Sequence, residues 1–162
     1  MKFIKNREEK LFEKCIILNQ EKFYRLAFVY VKNSQDAMDI LQDSILKAYS
    51  KLSNLKDENA LEKWINKIIV NTALDFIRKN SKVTLVNEGE EIYSLESNVK
   101  DEYLGGAIDL LEPELKSIII LKYFHGYTIN EVSDILEIPI YTVKNRLHKA
   151  LNILRIEVRE EF

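Results

Sequence analysis

Apolar residues recur along most of this chain at the three-and-four spacing of amphipathic helices, and the regularity is greatest near the C-terminal end. There Ile129, Val132, Ile135 and Leu136 mark one short helix, opened by Thr128 with Glu131 three residues on, the pattern of a capping box. Pro139 fixes its own backbone angle and lacks an N–H, so it stands at the start of a second helix. That helix buries Val143, Leu147, Ala150, Leu151 and Leu154 and turns out Lys144, Asn145, Arg146, His148 and Lys149. No Asp or Glu occurs from Ile138 to Ile156. Two short helices with a tight corner, the second basic, are the pattern of a DNA-binding helix-turn-helix. An ordinary helical hairpin with a solvated face has the same spacing, but such a face usually mixes charges of both signs.

Upstream, the same period predicts further helices. Met1 to Glu13 is a mixed-charge lead-in that begins one, and Phe23–Val31 is apolar enough to be buried on most sides. Ser34 is placed to cap a helix from Gln35 to about Leu52, whose inner face is Ala37, Ile40, Leu41, Ile45, Ala48, Tyr49 and Leu52. Asp36, Asp39 and Asp43 gather on its other face. Three carboxylates admit a metal site or an acid–base pair, but no His, Cys or further acid cluster lies nearby in sequence. Solvation, or contact with a basic protein, is the simpler reading. Ser53–Asn59 is a polar loop. A helix over about Ala60–Lys79 follows, with Leu61, Trp64, Ile65, Ile68, Ile69, Ala73, Phe76 and Ile77 as its apolar set. Trp64 reads as a core anchor. Asn71 and Thr72 contribute little to helix formation where they stand, which raises a functional suspicion.

From Ser81 to about Val99 the helical period lapses and the chain becomes acidic, as in a linker, apart from a few extended residues at Val83–Val86. Helix resumes near Asp101, is weakened at Gly105 and Gly106, restarts at Pro113, and ends at Gly126 before the helix-turn-helix. The expected architecture is therefore all-α: two small helical domains, residues 1–82 and 106–162, joined by a flexible acidic linker over 83–105.

Composition narrows the function classes. Of the 162 residues 46% are hydrophobic and 31% charged, with only 4 Gly and 2 Pro, which suits a helix-rich protein. No apolar run approaches the roughly 20 residues of a membrane span, and the charged start MKFIKNREEKLFEK is unlike a signal peptide. Cys15 is the sole cysteine, so neither an internal disulfide nor a cysteine-based zinc site is expected, in keeping with a cytoplasmic location. Its neighbours Ile16, Ile17 and Leu18 suggest a buried thiol. The formal net charge of −2 argues against a nucleic-acid binder only if it is taken whole. Leu46–Ser81 is net basic, Thr84–Glu112 strongly acidic, and the recognition helix basic, so two DNA-competent segments flank an acidic one. His125 and His148 lie far apart in sequence, and no arrangement of residues suggests catalysis or a metal site.

Taken together, four stretches resemble the extracytoplasmic-function (ECF) type of bacterial RNA polymerase sigma factor, in the sigma-70 family. They are SQDAMDILQDSILKAY (Ser34–Tyr49), LEKWINKIIVNTALDFIRK (Leu61–Lys79), LEPELKSIIILKYFHGYTINEVSDIL (Leu111–Leu136) and IPIYTVKNRLHKAL (Ile138–Leu151). The resemblance implies a region 2 domain and a region 4 domain. It sets Asp36, Asp39, Gln42 and Asp43 against the β′ clamp of core RNA polymerase, with the β flap as a further contact. It implies minus-ten DNA contacts from Lys56, Asn59, Lys63, Trp64, Lys67, Asn71, Arg78 and Lys79, with the Ser53–Asn59 loop helping to hold a base extruded from the non-template strand. In the second domain it gives Thr142 and Arg146 phosphate or structural roles. Lys144, Asn145, His148 and Lys149 are left to meet base edges in the minus-thirty-five element. It further implies an anti-sigma factor, membrane-linked, that holds the protein until an envelope or extracytoplasmic stress arrives, and neither a cofactor nor a small-molecule substrate nor catalysis.

Five residues depart from the family pattern and bear on this carry-over. Met38 stands where an acid is usual, Glu137 where Gly is common at the corner, and Tyr141 where the recognition helix usually begins with a small residue. Ser44 and Leu55 are also atypical. The alternative from another class is a stand-alone helix-turn-helix repressor or activator, which would normally dimerise on two half-sites and has no need of the acidic face.

Overall fold

The computed structural model describes residues 2–80 and 106–160, with side chains over 7–80 and 106–155. Every regular element among the described residues is helical. The chain divides into two compact units, Met1–Leu85 and Val86–Phe162. The predicted linker over 83–105, the extended residues Val83–Val86 and the helix restart near Asp101 lie outside the described residues.

The first unit comprises α1 (Lys2–Leu18), α2 (Gln20–Val31), α3 (Ser34–Ser50), short 3₁₀ turns at Leu52–Asn54 and Glu58–Ala60, and α4 (Leu61–Asn80). Helices α2, α3 and α4 pack on one another. Their shared core includes Phe23, Leu26, Ile40, Ile65 and Ile69, all essentially without exposure. Ala27, Ala37, Ala48 and Ala73 are fully buried among these larger side chains, which lets the helix backbones approach closely. Ser44 belongs with them. It lies four residues after Ile40 and four before Ala48, at the centre of the inner stripe, and its hydroxyl donates to the Ile40 carbonyl at 2.6 Å.

Three expectations for this unit need correction. The cap of α3 is Asn33, not Ser34: Asn33 is extended (φ −140°, ψ 147°), and its side-chain oxygen accepts the Asp36 N–H at 2.8 Å. Ser34 is already the first helical residue. Tyr49 faces out, 52% exposed, because it sits at the margin of the apolar stripe rather than on it. Its hydroxyl donates to Glu9 at 3.2 Å, and its ring lies 5.9 Å from that of Phe12, which is buried. The N-terminal lead-in is thus a full helix, anchored through Phe12 and through an Arg7–Glu58 ion pair of 3.4 Å. Finally, Cys15 is only half-buried, and Ile17 and Leu18 are exposed, because they fall at the end of α1 beyond the helices it covers.

The second unit contains a helical turn at 106–108, α5 (Pro113–Ile119), a wider π turn over Ile120–Phe124, α6 (Ile129–Leu136) and α7 (Ile140–Glu160). Glu112 is extended ahead of Pro113, the conformation proline imposes on its predecessor. The predicted continuous helix to His125 instead widens at its end, where the His125 N–H donates to the Ile120 carbonyl at 3.0 Å. Gly126, at φ +74°, then turns the chain into α6. Helix α7 packs on both α5 and α6. The core combines Leu115, Ile118 and Leu121 with Val132, Ile135, Val143, Leu147 and Ala150.

Candidate functional site

The corner between α6 and α7 controls how the recognition helix is presented. Thr128 Oγ1 accepts the Glu131 N–H at 3.2 Å, the first of the two bonds of the predicted box. Val132 and Ile135 are buried, while Ile129 and Leu136 are half-buried at the rim. Glu137 ends α6 in the left-handed conformation, φ 57° and ψ 42°, with its N–H on the Ser133 carbonyl. The glutamate therefore occupies a backbone conformation that favours glycine, at a cost on the order of 1 kcal/mol. Ser133 secures the turn: its hydroxyl donates to the Ile138 carbonyl, and its own carbonyl accepts the Ile138 N–H. Pro139 precedes the helix and its carbonyl accepts the Val143 N–H at 3.1 Å.

With the corner so held, α7 buries Val143, Leu147 and Ala150, and exposes Lys144, Asn145, His148 and Lys149. The residues expected at base edges are the exposed ones. Thr142 and Arg146, expected to contact phosphate or structure, are half-buried at the margins, as are Leu151 and Leu154. Tyr141, absent from the sequence-based set, is 75% exposed on the same outward face.

In the first unit, Asp39, Gln42 and Asp43 are exposed on α3, while Asp36 is half-buried and receives the Asn33 amide at 2.7 Å. Asp43 pairs with Lys47 at 3.1 Å, one turn on along α3. Sequence reasoning missed that Met38 and Leu46 share this outward face, 41% and 68% exposed. Their position off the buried stripe was the available signal. The face is thus mixed, apolar and acidic.

Helix α4 presents a second surface. At about 100° per residue, Lys63, Trp64, Lys67, Asn71 and Arg78 fall on one stripe, opposite the core side of the helix. Lys63, Trp64 and Lys67 are half-buried, and Asn71 and Arg78 are exposed. Trp64 is therefore a flank of the core rather than its anchor. The suspected polar pair divides: Asn71 points out, whereas Thr72 is 5% exposed and receives Lys47 Nζ at 3.3 Å, linking α4 to α3. Lys79 is exposed but lies on the side of Thr72, away from the stripe. Lys56 and Asn59 are exposed in the loop before α4, where Asp57 accepts the Asn59 N–H at 3.0 Å.

A two-unit helical protein with a helix-turn-helix, a basic and aromatic stripe and an acidic helix face has the build of a transcription initiation factor. Comparison with known proteins agrees. Residues 16–83 match the sigma-70 region 2 family and residues 101–154 the sigma-70 region 4 family. The chain is 38% identical to RNA polymerase sigma factor SigV of Bacillus subtilis (strain 168), over 97% of this chain and 96% of that one. It is 25% identical to ECF RNA polymerase sigma factor SigW of the same strain, over 99% and 95% respectively. The fold also resembles that of the sigma factor RpoE in its co-crystal structure with the anti-sigma factor NepR from Bartonella quintana. The TM-score is 0.77 at 20% identity, covering 91% of this chain and 96% of that one. CnrH, in complex with the cytosolic domain of CnrY, gives 0.70 at 16% identity, with 93% and 89% covered. The chain belongs to the ECF sigma factors of the sigma-70 family. Among the described residues, no helix is long and apolar enough to cross a membrane.

Proposed function

We propose that this protein directs core RNA polymerase to one class of promoter through surfaces divided between its two domains, 1–82 and 106–162, with 83–105 as the linker. The observation that carries the reading is the outward set Lys144, Asn145, His148 and Lys149 on a stretch of α7 without acids as far as Ile156, in a chain whose α3 offers an acidic and apolar face. Asp36, Asp39, Gln42 and Asp43 meet the basic β′ clamp, and Met38 and Leu46 add apolar area at the same contact. The second domain meets the β flap.

At the promoter, Lys63, Lys67, Arg78 and Lys79 neutralise phosphates of the minus-ten element. Trp64, Asn71, Lys56 and Asn59 surround the opened strand. Extruding a base costs a few kcal/mol of stacking, and contacts made only in the opened state offset it. In the minus-thirty-five duplex, Thr142 and Arg146 position α7 on the backbone while Lys144, Asn145, His148 and Lys149 reach base edges. The protein performs no catalysis itself and uses neither a cofactor nor a small-molecule substrate. It works in the cytoplasm, and a membrane-linked anti-sigma factor withholds it until an envelope stress. A stand-alone repressor or activator leaves the acidic face of α3 without a purpose.

The test is binding of labelled protein to purified core polymerase. Asp39→Arg/Asp43→Arg should weaken the complex at least tenfold while leaving the melting temperature within a few degrees, since both positions are exposed. Unchanged affinity would remove the α3 face from the polymerase contact.

A further inference from the structure

We propose that Tyr141 is a specificity-determining residue of the recognition helix, reading the 5-methyl group of a thymine in the minus-thirty-five element. The inference rests on the sigma-factor reading of α7. Tyr141 is 75% exposed in the first turn of that helix, immediately before half-buried Thr142 and buried Val143. A lone exposed tyrosine is ordinary. This one is placed by register. At about 100° per residue, Tyr141, Lys144, Asn145 and His148 fall within about 100° of arc, with Tyr141 near the middle and Lys144 at one edge. Val143, Leu147 and Ala150 hold the opposite side in the core.

This order has a chemical consequence. In a helix-turn-helix, the first turns of the second helix enter the major groove. Side chains at the edges of the exposed face, Lys144 among them, then reach bases beside the groove walls, and the central side chains meet its floor. From Tyr141 to His148 the helix advances about 10 Å, comparable to the width of the groove. A phenol ring at the centre offers an apolar face to the floor, where the only apolar group a base pair presents is the thymine methyl. The ring thus adds a contact on which this chain's promoter preference depends.

The experiment uses the full chain with core polymerase and a promoter fragment that the wild-type protein transcribes. Each thymine of the minus-thirty-five element is replaced singly by deoxyuridine, removing one methyl. At one position the wild-type protein should lose about fourfold in promoter occupancy, the value of one buried methyl. Y141F should show the same loss at that position. Y141A should bind the unmodified fragment more weakly and lose nothing further there. The proposal is overturned if wild-type protein tolerates every deoxyuridine, or if Y141A keeps the wild-type pattern. It is equally overturned if Y141F and Y141A lose affinity uniformly, which marks a phosphate contact through the hydroxyl. Failure of the wild-type protein to drive transcription from any genomic fragment sinks the sigma-factor reading itself, and this proposal with it. Deoxyuridine scanning of the wild-type protein requires no variant to fold.

Discussion

Ser133 and Ile138 are joined twice across the helix-turn-helix corner, once through the serine hydroxyl and once through its carbonyl. The pair encloses Glu137, whose left-handed backbone makes the turn sharp. Stabilisation and strain therefore sit in one short loop, and the loop decides the angle at which α7 leaves α6.

Ser133→Ala removes a hydroxyl from a part-buried bond and leaves the Ile138 carbonyl to water. Unfolding of the protein should be easier by about 1 kcal/mol. Glu137→Gly relieves the positive φ and should stabilise by up to about 1 kcal/mol, less the added entropy of the unfolded chain. Denaturant melts of both variants check the pair. A destabilised Glu137→Gly would show that interactions of the glutamate side chain outweigh the backbone strain.

Base-reading and phosphate-neutralising residues on α7 separate by salt dependence. Arg146→Ala should weaken DNA binding about equally on all sequences and lower the salt slope by roughly one unit. Asn145→Ala should leave the slope alone and relax preference at one base pair, at a cost of about 1–3 kcal/mol on the preferred sequence. Anisotropy titrations from low to high salt, on matched and single-mismatch duplexes, distinguish these outcomes.

Much of this surface was legible beforehand because the signals are local. A capping threonine, a proline at a helix start and the period of Val132, Ile135, Val143 and Leu147 all act within a turn or two. The same local rules failed where two residues competed or where a polar type masked an inward position. Asn33 and Ser34 can both cap, and only the extended backbone at Asn33 selects it. Ser44 is central to α3 yet polar by type, so pattern reading passed over it and took marginal Tyr49 instead. Asn66 lies on the inner stripe of α4 with Ile69, Val70 and Ala73, and Lys116 precedes buried Ile119 and Ile120, but both are polar by type and escape pattern reading in the same way. Tyr141 stands in the sequence only as a departure at the start of the recognition helix, with no contact assigned, whereas its register and exposure place it on the outward face.

Cys15 tests the geometry at the end of α1. Desolvation by burial, foremost, pushes its thiol pKa up; the Asn19 amide near its Sγ works in the opposite direction, and the charge of Glu62 adds to the rise. A raised thiol pKa lowers the thiolate fraction at neutral pH, so alkylation should be slower than that of free cysteine at pH 7.5. The rate should keep rising above pH 9, where free cysteine is levelling off. Iodoacetamide labelling followed by mass spectrometry across that pH range gives the comparison. A rate equal to free cysteine throughout would mean that the thiol is fully solvated.

The central claim is that an acidic face on α3 and a basic face on α7 act together at a promoter. Run-off transcription on genomic promoter fragments, with purified core polymerase and with or without this protein, tests it most directly. Transcripts should appear only with the protein, and should vanish with Asp39→Arg/Asp43→Arg. They should also fall sharply when Lys144 and Lys149 are reversed to Glu. DNA binding without core, together with no new transcript from several core preparations, would contradict the account and return the protein to the repressors.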